Sequence, residues 1–102
     1  MKIFISVGMT GRREEEVRAD IIRAQEYVKE HFPFRCIDDV EFVDNYDCQA
    51  PENVSPLWCL GEAIKKLGEC DACCFVDGWK NYHGCCVEYE VCKTYGIYTI
   101  KM

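Results

Sequence analysis

Ile3 to Val7 is an almost unbroken apolar, β-rich run, and it stops at Gly8-Met9-Thr10-Gly11. A strand that is apolar on both sides of its pleat must be covered on both faces, which is the situation of an inner strand in a parallel sheet. The rest of the chain repeats the theme. Helical periodicity runs from about Arg13 to His31, with Val17, Ile21, Ala24 and Val28 as one apolar stripe and Glu14, Glu15 and Glu16 at the favoured acidic end. Pro33 ends it, Val40 to Val43 reads as a short second strand, and Asp44 to Asn53 as a loop. Ser55-Pro56 is a helix start, a hydroxyl N-cap followed by proline at the first helical position. Leu57, Leu60, Ile64 and Leu67 form the expected stripe of that helix, and Gly68 suits its end. A third strand is expected over Ala72 to Val76, and a third helix over Gly84 to Tyr95 with Val87, Val91 and Tyr95 on its buried face. Gly96 closes that helix, and Ile97 to Ile100 is the last strand.

Strands alternating with helices through short connections predict an α/β three-layer sandwich. Its core is a parallel sheet of four or five strands, Rossmann- or flavodoxin-like, with right-handed crossovers. At 102 residues the chain is one domain, 1–102, without internal repeats. In such sheets ligands bind beyond the carboxyl ends of the strands, at the switch point in strand order. The loops Gly8 to Arg13 and Asp77 to Gly84 are therefore where function is expected.

Composition narrows the partners. Lys and Arg total 12 against 18 Asp and Glu, a net charge of −6, which disfavours a nucleic-acid backbone as the main partner. A small anion held by one or two arginines stays compatible. No apolar run is long enough to span a bilayer, and the N-terminus reads as a strand and not a signal peptide. Nine cysteines is an unusual number. The odd count, the regular periodicity and the lack of an export signal favour reduced thiols and a cytoplasmic location over a disulfide scaffold. Cys70-x-x-Cys73 has zinc-like spacing, but strand alternation sends Cys73 and Cys74 to opposite faces. Buried thiols acting as small hydrophobes are the expectation, with no metal and no cofactor.

Two regions carry candidate chemistry. Gly8, Met9, Thr10, Gly11 and Arg12, with Arg13 beside them, place glycines and arginines at a helix N-terminus, where backbone N–H groups and the dipole favour an anion. A tight turn with solvated arginines is the simpler reading. Glu88 falls in the early turns of the third helix and is expected to stay ionised there, as a glycosyl-transferring nucleophile must. Glu90 points about 200° away on the same helix and serves as the solvated comparison.

At these positions the chain resembles a family. Lys2 to Gly11 is similar to the "KIYISGPMTG" opening of a small-domain branch related to nucleoside 2-deoxyribosyltransferases. Cys70 to Trp79 is similar to its "CDAVYLLPGW" segment, and Gly84-Cys85-Cys86-Val87-Glu88 followed by Gly96 resembles its "G-x-x-x-E … G" helix. The resemblance implies transfer or hydrolysis of a nucleoside or nucleotide N-glycosidic bond, with Glu88 as the nucleophile at C1′. It also implies an acid at Glu62, where the transferases have Asp, with Asp77 as a further acid. The opening loop resembles the "GSIRGGR" loop of deoxynucleoside-monophosphate N-glycosidases, which implies a phosphate contact at Gly8, Gly11 and Arg12. Trp79 is a candidate for stacking on the base. A homodimer or larger assembly is implied too, with the helices starting at Ser55 and Gly84, and Trp58, Tyr89 and Tyr95 on them, as the contact. Two departures, Phe4 where the family has Tyr and Tyr82 where it has Asp, keep a second reading open: a non-catalytic module that binds or senses a nucleotide.

Overall fold

The computed structural model describes residues 1–31, 40–44 and 54–102. Pro33, Cys36, Cys48 and all but Asp44 of the loop expected over Asp44 to Asn53 lie outside the described residues. The elements are β1 (Lys2–Ser6), α1 (Glu14–His31), β2 (Glu41–Val43), α2 (Pro56–Leu67), β3 (Ala72–Phe75), α3 (His83–Tyr95) and β4 (Tyr98–Lys101), with a single 3₁₀ turn at Trp79–Asn81.

Among the described residues the sheet has four strands in the order β2-β1-β3-β4, all parallel. The chain steps one way from β1 to β2, then the other way from β2 to β3 and on to β4. With crossovers of one hand, α1 must cover one face and α2 and α3 the other. Packing follows that rule. Val17, Ile21, Ala24 and Val28 of α1 sit on Ile3, Ile5, Ala72 and Cys74. Ala63 and Leu67 of α2 and Cys92 of α3 sit on Phe4, Cys73 and Phe75. Cys73 and Cys74 do face opposite ways.

The α1 stripe is the expected one, and the other two helices differ from expectation. In α2 the buried residues are Ala63 and Leu67, while Leu57 is 75% exposed. In α3 only Val91 of the expected face packs against the core; Val87 and Tyr95 turn away from it, with Tyr95 77% exposed, and Cys85, Glu88 and Cys92 are the buried residues. Valine and tyrosine dominate a hydrophobicity reading, but α3 packs closely against β1 and β3, which bear Phe4 and Phe75. A face of small thiols lets the helix come near. Ser55 Oγ accepts the Trp58 N–H as the N-cap of α2, as the sequence indicates.

The switch point in strand order lies between β1 and β3. The two loops that leave their carboxyl ends therefore part to opposite sides and open a crevice between them. Positive φ at Gly11 and Gly78, 73° and 85°, shapes the turns of those loops in a region only glycine occupies without strain.

Candidate active site

A cavity of about 820 Å³ lies at this crevice on the α2/α3 side. Val7 to Thr10 after β1, the first half of α2 from Pro56 to Ala63, and Asn81 to Cys85 at the start of α3 form its walls. Phe4 and Glu88 also line it. The wall is mostly apolar, with a few polar groups converging on it, which is the usual make-up of a small-molecule site.

Glu88 sits in the second turn of α3 and is only 6% exposed. Its Oε1 accepts a buried 2.8 Å hydrogen bond from Ser6 Oγ, itself 1% exposed. Ser6 lies two residues beyond Phe4 on the same face of β1, so the strand's one hydroxyl is turned to the carboxylate. The Cys85 thiol is also within hydrogen-bonding reach of Ser6.

Burial pushes the Glu88 carboxyl up to about 7, with the Ser6 hydrogen bond pulling the other way. The expectation of a permanently ionised carboxylate is thus corrected. Glu88 lies past the first turn, where the dipole acts most strongly, and desolvation outweighs it. Near neutrality the group is divided between its two forms. Glu90, by contrast, is exposed and pairs with Lys93 at 3.8 Å.

The other expected residues separate into two sets. Gly8, Met9 and Thr10 line the cavity together with Glu88. Gly8 is needed there for space: a Cβ at this position would meet the Tyr82 ring at 2.2 Å, so ring and backbone pack face to face. Gly11, Arg12, Trp79, Glu62 and Asp77 are outside the lining. Arg12 donates to Gly8 O at 2.9 Å and to Asp20 at 2.6 Å. Asp77 accepts from Arg23 of α1 at 2.7 Å. Glu62 pairs with Lys65 at 3.0 Å on the flank of α2. The Trp79 ring packs on Phe75 and Tyr89, at 5.1 and 4.8 Å between centroids, as part of the core. In each case a nearer partner within the fold takes the side chain.

Tyr82 and His83, which the sequence offers either as stacking residues or as loop caps, line the cavity, whereas Cys85 on its wall and Ser6 behind Glu88 were not assigned to a site. Ser6 had a visible signal, since it is the one hydroxyl inside an apolar strand. Among the described residues no cluster of His, Cys, Asp and Glu is arranged to hold a metal ion. Burial pushes the Cys74 and Cys85 thiols up to about 12 and about 11, which keeps them protonated and inert at neutral pH. Among the described residues no helix is long and apolar enough to cross a membrane.

No protein-family model matches the chain, and neither a curated protein nor a solved structure matches it.

The raised Glu88 carboxyl has a consequence for stability. Its folded value of about 7 lies above the ordinary 4.5, so between these pH values the folded chain holds a proton that the unfolded chain has released. Stability contributed by the protonated form is full below about 4.5 and is lost as pH rises through about 7. Glu88→Gln keeps the shape without the charge. It is expected to raise stability at pH 8 by about 3 kcal/mol, and to add little at pH 4, in urea denaturation.

Proposed function

We propose that this chain acts on the N-glycosidic bond of a nucleoside or nucleotide, with Glu88 as the nucleophile. The observation that carries this reading is one buried carboxylate, held by Ser6 and lining a largely apolar cavity at the switch point of a parallel sheet. The resemblance of Lys2 to Gly11 and of Gly84 to Glu88 to the deoxyribosyltransferase branch points the same way.

In the reaction, Ser6 holds Oε1 and leaves Oε2 to attack C1′ of the sugar. A C1′–O bond forms as the C1′–N bond breaks, and the electron pair leaves with the base nitrogen. The base takes up a proton as it departs. Histidine is the side chain most often used for such a transfer, and His83 lines the cavity. Water, losing a proton, or a second base then attacks C1′ from the opposite side and releases the Glu88 carboxylate. The apolar wall excludes water from the glycosyl-enzyme and gives the base a surface to lie on.

One observation favours the non-catalytic alternative. Glu62 and Asp77 lie outside the cavity, so among the described lining residues Glu88 is the only carboxylate. A binding module would show thermal stabilisation by nucleosides or nucleotides without turnover.

A second copy of the chain is part of the proposal. Leu57 at the cavity mouth and Trp58, Val87 and Tyr95 on the same two helices are exposed apolar groups that a partner would cover. Light scattering is expected to give a mass near twice the 11.9 kDa of the chain, and a mass of one chain would contradict shared closure of the site.

The reaction is tested by incubating the protein with deoxynucleosides and their monophosphates and separating the released bases. Glu88→Ala is expected to lower base release by on the order of 10³-fold. Because the nucleophile must be ionised, kcat/KM rises with pH and levels off above about 7. The Ser6 hydrogen bond favours the ionised form, so Ser6→Ala moves that rise to higher pH. Equal base release by wild type and Glu88→Ala would overturn the assignment.

A further inference from the structure

We propose that the cavity over Glu88 selects an unphosphorylated ligand, and that Asp20 sets this selectivity by holding the Arg12 guanidinium away from it. The inference rests on the nucleoside reading and specifies which form of that substrate class the site takes.

The loop after β1 has the composition of an anion site, yet its cations are engaged elsewhere. All three guanidinium nitrogens of Arg12 face acceptors of the protein. Nη1 donates to Gly8 O at 2.9 Å, Nη2 to Asp20 Oδ2 at 2.6 Å, and Nε lies 3.8 Å from Glu16 Oε2. Asp20 is held in turn. Its other oxygen accepts from Arg23 Nη2 at 3.0 Å, and Arg23 continues to Asp77 at 2.7 Å. The result is an alternating chain, Arg12–Asp20–Arg23–Asp77, that ties the loops after β1 and β3 to α1. The side chains of Arg12 and Asp20 are 19% and 17% exposed, so solvent screens this pair less than an open surface pair. Arg13 is engaged by Glu16 at 3.0 Å.

Among the described residues the cavity has no permanent cation. Among the described residues that line it there is no lysine or arginine, and the one carboxylate is Glu88. A phosphate placed there would meet neutral donors and a carboxylate. To recruit Arg12 it would have to break a charge-assisted bond to Asp20 and a bond to the Gly8 carbonyl. An uncharged nucleoside faces neither difficulty. The selectivity thus comes from a withheld attraction as much as from the contacts offered.

The experiment measures binding of matched pairs, each deoxynucleoside and its 5′-monophosphate, by thermal shift and calorimetry on the whole chain. Wild type is expected to bind the nucleoside about 10-fold or more tightly than the monophosphate, the scale of one charge-assisted contact. Asp20→Asn, which keeps the shape and releases Arg12, is expected to narrow that ratio by about 5-fold or more through tighter monophosphate binding. Asp20→Glu is expected to restore the wild-type preference. Monophosphate binding equal to or tighter than nucleoside binding in wild type would overturn the inference while leaving the N-glycosidic reading standing. Binding of neither form would overturn that reading and this inference with it. An unchanged preference in folded Asp20→Asn would remove Asp20 from the role.

Discussion

Ile3 to Ser6 run in parallel register against Ala72 to Phe75, and the site is assembled on that pairing. Strand alternation along β1 gives Ile3 and Ile5 to α1 and Phe4 and Ser6 to the opposite helices. The same pairing brings the carboxyl ends of β1 and β3 side by side, with Val76 N donating to Ser6 O at 3.1 Å. From there the two loops diverge, because β1 leads to a strand on one side and β3 to a strand on the other. A slip of one residue in this register would turn Ser6 toward α1 and leave Glu88 without its donor.

Holding a carboxylate at 6% exposure opposes folding, and the surroundings of Glu88 limit that penalty without removing it. Ser6 supplies one hydrogen bond. The thiols of α3 supply a face that is small and apolar, so the helix lies close to the sheet and Glu88 is drawn in with it. Satisfying a buried charge fully would need a cation or further donors, and the carboxyl instead titrates near neutrality. Retaining such a group against stability is what a functional site does. On the other side of the sheet the charges are arranged oppositely: Arg12, Asp20, Arg23 and Asp77 are matched one to one, and there the polar groups hold loops in place.

The architecture was legible because it depends on periodicity. The doubly apolar β1, the α1 stripe and the Ser55-Pro56 helix start each determine an element by local chemistry alone, and the element order then leads to the parallel sheet. Glu88 stood out in the sequence by its place in the third helix, and the structure puts it on the wall of the cavity. The buried face of α3 was not legible. Reading Val87 and Tyr95 as core beside Val91 assigns weight by hydrophobicity, whereas the close approach to β1 and β3 selects Cys85 and Cys92 by size. For the same reason the burial of Glu88, and with it the raised carboxyl, was invisible. The partners of Arg12 and Asp77 were hidden too, whereas the Glu62–Lys65 pair follows from helical spacing. A charged side chain takes the nearest opposite charge in space, and Arg23 is 54 positions from Asp77 in sequence. Trp79 illustrates the remaining gap, since an aromatic beside a site and an aromatic in the core have the same sequence signature.

Glu88 is buried, hydrogen-bonded by Ser6 and poised between its two protonation states. Carbon-13 NMR of the glutamate side-chain carboxyls, followed from pH 3 to 9, reads this directly. One resonance is expected to titrate near 7 and to be missing from Glu88→Gln. If no such resonance is found and the Glu88 carboxyl titrates near its ordinary value of 4.5, Glu88 is solvated and the buried site does not exist.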